Sequence, residues 1–215
     1  MLAKDYRSLA WSKMSGKWGT CALITFVISL ISGVIGALPE IHPILSIITL
    51  ALSIFVMLPF YYSEEYVALS VSRGEKVEFD DAFSGFKIYK KALCLNLLIA
   101  IFTFLWTCLL IIPGIIKGLA YSMSNFILRD NPNMTANEAI TESRRMMVGN
   151  KWRLFCLCFS FIGWILLSIL TLGILLFWIQ PYMNASVAEF YRSLKNEDKQ
   201  ASDTTETKEA EAVNE

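Results

Sequence analysis

The sequence predicts an all-α, polytopic membrane protein with six transmembrane helices arranged as three hairpins, each preceded by a cytoplasmic amphipathic helix. Three observations carry that expectation. The 215 residues are 55% hydrophobic and only 18% charged, with mean hydropathy +0.49, whereas about a quarter of a soluble domain is charged. The apolar residues are clumped: Leu154–Ala188 is 35 residues without a charge, and Ala92–Leu128 is 37 residues with Lys117 alone. Finally, the basic residues cluster at the ends of such runs.

The nearly charge-free segments, in order, are Cys21–Leu38, Ile44–Tyr62, Ala92–Ile112, Ile115–Leu128, Leu154–Ile169 and Gly173–Ala188. About 20 helical residues cross a hydrocarbon core of roughly 30 Å. The first segment follows some twenty residues of mixed charge and leads directly to another apolar run, so it reads as a retained helix rather than a signal peptide. Between the third and fourth, Pro113 and Gly114 are expected to form a hairpin tip, because proline ends a helix and glycine permits the reversal. A proline kink in one continuous helix is the competing reading. Lys117 would then snorkel from just beyond the tip. A single helix over Leu154–Ala188 would be about 52 Å long, so Thr171-Leu172-Gly173 is the expected turn.

With six crossings, 18 of the 19 basic residues fall on one side, and only Lys117 on the other. The positive-inside rule then places both termini in the cytoplasm. The outer connections are short: Pro39–Pro43, Pro113-Gly114 and Thr171–Gly173.

Each hairpin is preceded by a segment mixing apolar and charged positions: YRSLAWSKMSGKWGT, VEFDDAFSGFKIYKKAL and MTANEAITESRRMMVGNKWRLF. In the third, Thr135 and Glu138 have capping-box spacing. An amphipathic helix lying in the headgroup layer is the expected form, with Lys17-Trp18 and Lys151-Trp152 as interfacial anchors. This pattern divides a single membrane domain, residues 1–195, into three repeats at about 1–72, 73–131 and 132–195; convergent membrane-entry chemistry would give a similar pattern. Residues 196–215 are acidic and lack apolar periodicity, which predicts a disordered cytoplasmic tail.

Several stretches in combination resemble one family: SRGE at 72–75, FSGFKIYKK at 83–91, FLWTCLLIIPGIIKGLAYSMSNFILRDNP at 104–132 and NEAITESRRMMVGNKWRLF at 137–155. FIGWILLSILTLGILLFWIQPY at 161–182 and AEFY at 188–191 extend the likeness. The family is the bacterial integral membrane proteins grouped as domain of unknown function 975. The resemblance covers roughly residues 1–195 and implies a multispan topology, with no activity or catalytic residue to carry over. A more distant resemblance is to the membrane domain fused to some glycerophosphodiester phosphodiesterases; these 215 residues hold no such enzyme, so its activity is not carried over.

No HExxH, GxSxG or GxxxxGK[ST] motif is present, and one histidine among five scattered cysteines offers no metal-ligand spacing. No catalytic residue, metal or cofactor is expected. Basic residues interleaved with acids and bordering apolar runs do not suit nucleic acid. The bilayer is the expected partner, alongside a membrane or cytoplasmic protein or a second copy of the chain. The best ionisable candidates are Glu64 and Glu65 near the inner end of the second apolar helix. With Tyr121, Asn125, Tyr182 and Asn184 they would line a polar vestibule; the structural alternative is an acid satisfied by water or a basic neighbour. Two functions follow, an envelope-associated adaptor or scaffold and a small transporter or channel.

Overall fold

The computed structural model describes residues 2–37 and 43–213, with side chains for residues 2–37 and 46–200. The expected outer connection at Pro39–Pro43, with His42, lies largely outside the described residues. The structure is 84% helix. Its helices are α1 (Ala3–Met14), α2 (Trp18–Gly36), α3 (Pro43–Arg73), α4 (Ser84–Lys87) with a 3-10 turn at Phe79–Phe83 before it, α5 (Tyr89–Leu109) and α6 (Ile111–Tyr121). They continue as α7 (Ser124–Asp130), α8 (Ala136–Met146), α9 (Lys151–Phe159), α10 (Ile162–Leu170) and α11 (Leu176–Val213). Among the described residues, five helical stretches are long and apolar enough to cross a membrane: Trp18–Gly36, Ser46–Arg73, Tyr89–Leu109, Ile111–Asp130 and Lys151–Leu170. The sixth expected crossing, in α11, is not among them, because its charge-free part ends at Ala188 and measures only about 20 Å from Leu176.

Two expected helices are broken, each by a side chain inserted at the break. Between α6 and α7, the Ser143 hydroxyl donates to the Ala120 carbonyl at 2.8 Å and accepts from the Met123 amide at 3.2 Å. Between α9 and α10, Arg7 reaches from α1 to donate to the Ser160 carbonyl at 3.2 Å. Intercepting the backbone ladder is a recognised cause of kinks.

The second reversal falls at Leu110, which is extended, and Pro113 and Gly114 lie inside the first turn of α6. The expected Pro-Gly tip is therefore displaced by three residues. Proline is tolerated there because the first amides of a helix have no intrahelical acceptor. Gly114 serves a different purpose: a Cβ on it would overlap Thr107 of α5. In the third hairpin the turn is where the sequence predicts it, with Leu172 and Gly173 both at positive φ. Every backbone amide from Leu172 to Ile179 has an acceptor at the end of α10, within the turn or at the start of α11.

Pro59 lies within α3. It has no N–H for the Phe55 carbonyl four residues back, and the Tyr89 hydroxyl donates to that carbonyl at 3.2 Å. The Pro59 carbonyl accepts from Ser63 at 3.1 Å, and Ser63 in turn accepts from the Gly85 amide at 2.9 Å. A Cβ on Gly85 would overlap the Pro59 carbonyl oxygen, so α4 approaches α3 as closely as glycine allows.

Two of the three segments expected in the headgroup layer bury one face within the protein. In α8 the Thr135–Glu138 capping box forms, and Ala136, Ala139, Ile140, Ser143 and Met146 form a buried face against α5, α6 and α7. Small residues on that face let backbones approach, which a lipid-facing helix does not require. Tyr6, Ala10 and Met14 of α1 are likewise buried, against α3, α9 and α11. At the C-terminal end, α11 runs to Val213, and its residues Glu197 and Asp198 pair with Arg153 at 3.0 Å and Arg145 at 2.8 Å.

A layer of charge joins these elements at one end of the bundle. Asp130, with its side chain 3% exposed, accepts from Arg73 of α3, from Lys195 of α11, and from the Tyr191 hydroxyl at 2.9 Å. Arg129 donates to the Tyr66 carbonyl at 2.5 Å, to Ser70 at 2.9 Å and to Glu75 at 2.7 Å, and its guanidinium lies 3.8 Å from the Tyr66 ring centroid. Glu189, also buried, pairs with Lys13 at 2.7 Å and with Arg192 at 3.4 Å. Lys13 and Arg192 both donate to the Ser72 carbonyl as well, which ties α1 and α11 to the end of α3.

Replacing Asp130 with Asn leaves Arg73 and Lys195 without their shared counter-charge. Unfolding of detergent-purified D130N should show a loss of about 3–5 kcal/mol, and Tyr191→Phe a loss nearer 1 kcal/mol. A pH titration should report the outer pairs. Hydrogen bonds from Arg145 and Arg153 hold Glu142 and Glu197 below the ordinary carboxylate value of 4.5. A lowered folded-state value adds stability at pH above 4.5 and loses it as pH falls through the depressed value. The Glu197–Arg153 contact of α11 with α9 should therefore loosen as pH falls below the ordinary carboxylate range, which hydrogen exchange of residues 196–200 would detect.

Candidate functional site

The six expected vestibule residues do not converge on one cavity. They fall into three local sites on α3, α6–α7 and α11.

The first is a buried amide pair. Asn125 of α7 and Asn96 of α5 exchange hydrogen bonds at 3.2 and 3.1 Å, and Asn96 also donates to the Ala92 carbonyl at 3.0 Å. The Glu65 carboxyl lies against Asn125, and one of its oxygens is buried with no hydrogen-bond partner. Tyr121 is buried beside this cluster, its ring 6.3 Å from that of Phe102.

The second site surrounds Glu64, which faces the Gln180 amide of α11. On one side a cavity of about 10 Å³ is lined by Glu64, Thr25, Cys21, Pro181 and Asn184, room for about one water. On the other side an open groove of about 410 Å³ between α2 and α3 brings Ser29, Ser32 and Tyr61 to the same carboxyl. Glu64 and Asn184 thus share a site; Glu65 and Asn125 share another.

The third is aromatic. The Tyr182 hydroxyl donates to the Arg7 carbonyl at 3.1 Å. Its ring packs on Phe161 at 5.2 Å and Trp11 at 5.4 Å, and Trp11 packs on Trp18 at 4.9 Å. Four of the six tryptophans, Trp11, Trp18, Trp164 and Trp178, wall an apolar pocket of about 240 Å³ with Tyr182, Leu175 and Ile179. Trp18 therefore joins this pocket, while Lys17 donates to the Glu75 carbonyl at 2.6 Å. Trp152 stays exposed and stacks on Phe155 at 5.2 Å. Lys117 does not stand apart: its ammonium lies 4.6 Å from the Trp106 ring centroid, and it lines a groove with Lys151, Arg144 and Arg145.

Sequence reasoning missed Asn96, Gln180, Arg129, Asp130 and Glu189 as partners. A signal was available for Arg129-Asp130, a charge pair closing a long apolar run, and for Glu189, the first charge after one. Nothing in the sequence marks Asn96 or Gln180, whose partners are 29 residues and two hairpins away. Among the described residues no group of three histidine, cysteine, aspartate or glutamate side chains is placed to hold a metal.

Among the described residues the bundle is all-helical and holds five helices long and apolar enough to cross a membrane, which points to a membrane protein. The chain belongs to the family described as protein of unknown function (DUF975), whose profile matches residues 1–117 and 108–198. No curated protein and no solved structure matches it.

The amide pair gives a double-mutant test. Asn96→Leu or Asn125→Leu alone leaves a buried amide unpaired and should cost about 1–3 kcal/mol, whereas the double variant should cost less than the sum. Additive losses in thermal unfolding would show that the two amides do not depend on each other.

Proposed function

We propose that the chain is a multi-pass protein of the bacterial cytoplasmic membrane, with both termini on the cytoplasmic side, acting as an envelope-associated adaptor or scaffold. One observation carries the functional part. Buried polar groups are bonded to one another across helices: Asp130, Glu189, Arg129, Ser143 and the two asparagines all join separate elements. Such a layer fixes a platform, and α8 presents Asn137, Thr141 and Arg144 outward from it.

The grouping of Lys117 with Lys151, Arg144 and Arg145 supports the orientation. It removes the one basic residue that a six-crossing topology leaves on the outer side, in keeping with the positive-inside rule. The three hairpins differ in reach. Gln180 of α11 faces Glu64 of α3, and from that level α11 continues to Leu176, about 6 Å, while α3 continues to Pro43, about 32 Å. The tip at Thr171–Gly173 therefore ends inside the bilayer as a re-entrant turn. Its fully paired amides suit a site without water.

A specific observation favours a second reading, transport. An acid within a membrane is expensive and commonly functional, and Glu64 faces an open groove with three hydroxyl groups.

Two measurements test these readings. Mild-detergent purification should retain a stoichiometric protein partner, and Asn137→Arg with Thr141→Arg should release it at unchanged melting temperature. Loss of substrate flux in Glu64→Gln vesicles, with no partner retained, would replace the adaptor by the transporter. In a cysteine-free background, Leu172→Cys should resist a membrane-impermeant maleimide added from either side, whereas Glu40→Cys should label from outside. Labelling of Leu172→Cys from outside would establish a full third crossing.

A further inference from the structure

An open groove of about 380 Å³ lies where α6, α8 and the start of α9 meet, lined by Lys117, Ala120, Thr141, Arg144, Arg145, Val148 and Lys151. Four cations from three helices thus surround one depression. Arg145 is already paired, with Glu142 at 2.6 Å and Asp198 at 2.8 Å. Among the described residues, Lys117, Arg144 and Lys151 form no ion pair. Like charges gathered around a groove repel one another unless an anion enters it.

The surroundings of the groove identify the anion's source. Ile115 and Ile116 flank Lys117 and are exposed; Val148 and Trp152, on either side of Lys151, are 72% and 71% exposed. In the membrane placement these side chains face acyl chains, so the anion that lies within reach of the groove is a lipid headgroup rather than an acidic protein segment or a free anion in water. A ligand that carries a phosphate on a hydrocarbon body satisfies both halves at once. We propose that this groove binds the headgroup of one anionic phospholipid, its phosphate between Lys117, Arg144 and Lys151 and its acyl chains along the exposed faces of α6 and α9. Basic pockets between membrane helices on the cytoplasmic side are suited to such headgroups. The proposal rests on the membrane placement of the preceding section, but not on the adaptor role.

The experiment uses the full chain in nanodiscs of phosphatidylcholine, titrated with phosphatidylglycerol, with bound lipid counted by native mass spectrometry. One phosphatidylglycerol per chain should be retained saturably. The preference over phosphatidylcholine should fall on the order of fivefold for each of Lys117→Gln, Arg144→Gln and Lys151→Gln. Lys76→Gln and Lys87→Gln, exposed cations elsewhere, should leave it unchanged. Equal retention of the two lipids, an equal loss in the Lys76 and Lys87 controls, or displacement of the lipid by millimolar inorganic phosphate would overturn the site. A chain that fails to enter nanodiscs at all would count against the membrane placement, which separates the two failures.

Discussion

The fold turns on a buried carboxylate at the end of an apolar run. Asp130 closes α7, and the groups that reach it come from α3 and α11, elements 57 and 61 to 65 residues away in the chain. Apolar helices in lipid gain little from packing against each other rather than against hydrocarbon, so burial alone does not fix their mutual order. A desolvated charge does, because only one arrangement supplies its partners. Glu189 and Arg129 repeat the device at neighbouring positions, and the three together hold α1, α3, α7 and α11 in register. The association of the short helices α1 and α8 with the bundle follows from this layer and from the small residues that line it.

The helical class was legible from composition because charge-free runs of this length have few other solutions. The turn at Thr171–Gly173 was legible because Gly173 lies near the middle of a charge-free run too long for one crossing, whereas Gly163 and Pro181 lie nearer its ends. The second reversal was misplaced for a physical reason: Pro113 is compatible with both a helix end and a helix start, and the spacing that Gly114 enables, against Thr107, is invisible without the partner helix. The amphipathic segments were legible as helices, down to the Thr135 cap, but their destination was not. An apolar stripe of alanine and serine says that a face is buried; it does not say whether lipid or protein buries it. The candidate site was the least legible part. Glu64 and Glu65 are adjacent in sequence and point to different neighbours, Gln180 and Asn125, and only the packing of α3 between α7 and α11 separates them.

The interior economy of Pro59 illustrates how such a bundle tolerates a residue that should break it. The carbonyl that proline leaves without its usual donor is served by Tyr89, and the carbonyl of Pro59 itself by Ser63, which also receives Gly85. Two successive hairpins are thereby linked through a defect in one helix. A regular helix at this place would offer no free backbone group for the link.

The closed hydrogen bonding of the Thr171–Gly173 turn bears on how the chain is made. A hairpin whose tip exposes no unpaired amide, and whose 35 surrounding residues carry no charge, requires no polar group to be carried across the bilayer. In the proposed orientation the first hairpin must translocate Glu40 and His42. The third can enter from the cytoplasmic side by partitioning alone, after the earlier helices are in place, which makes it the natural last step of membrane assembly.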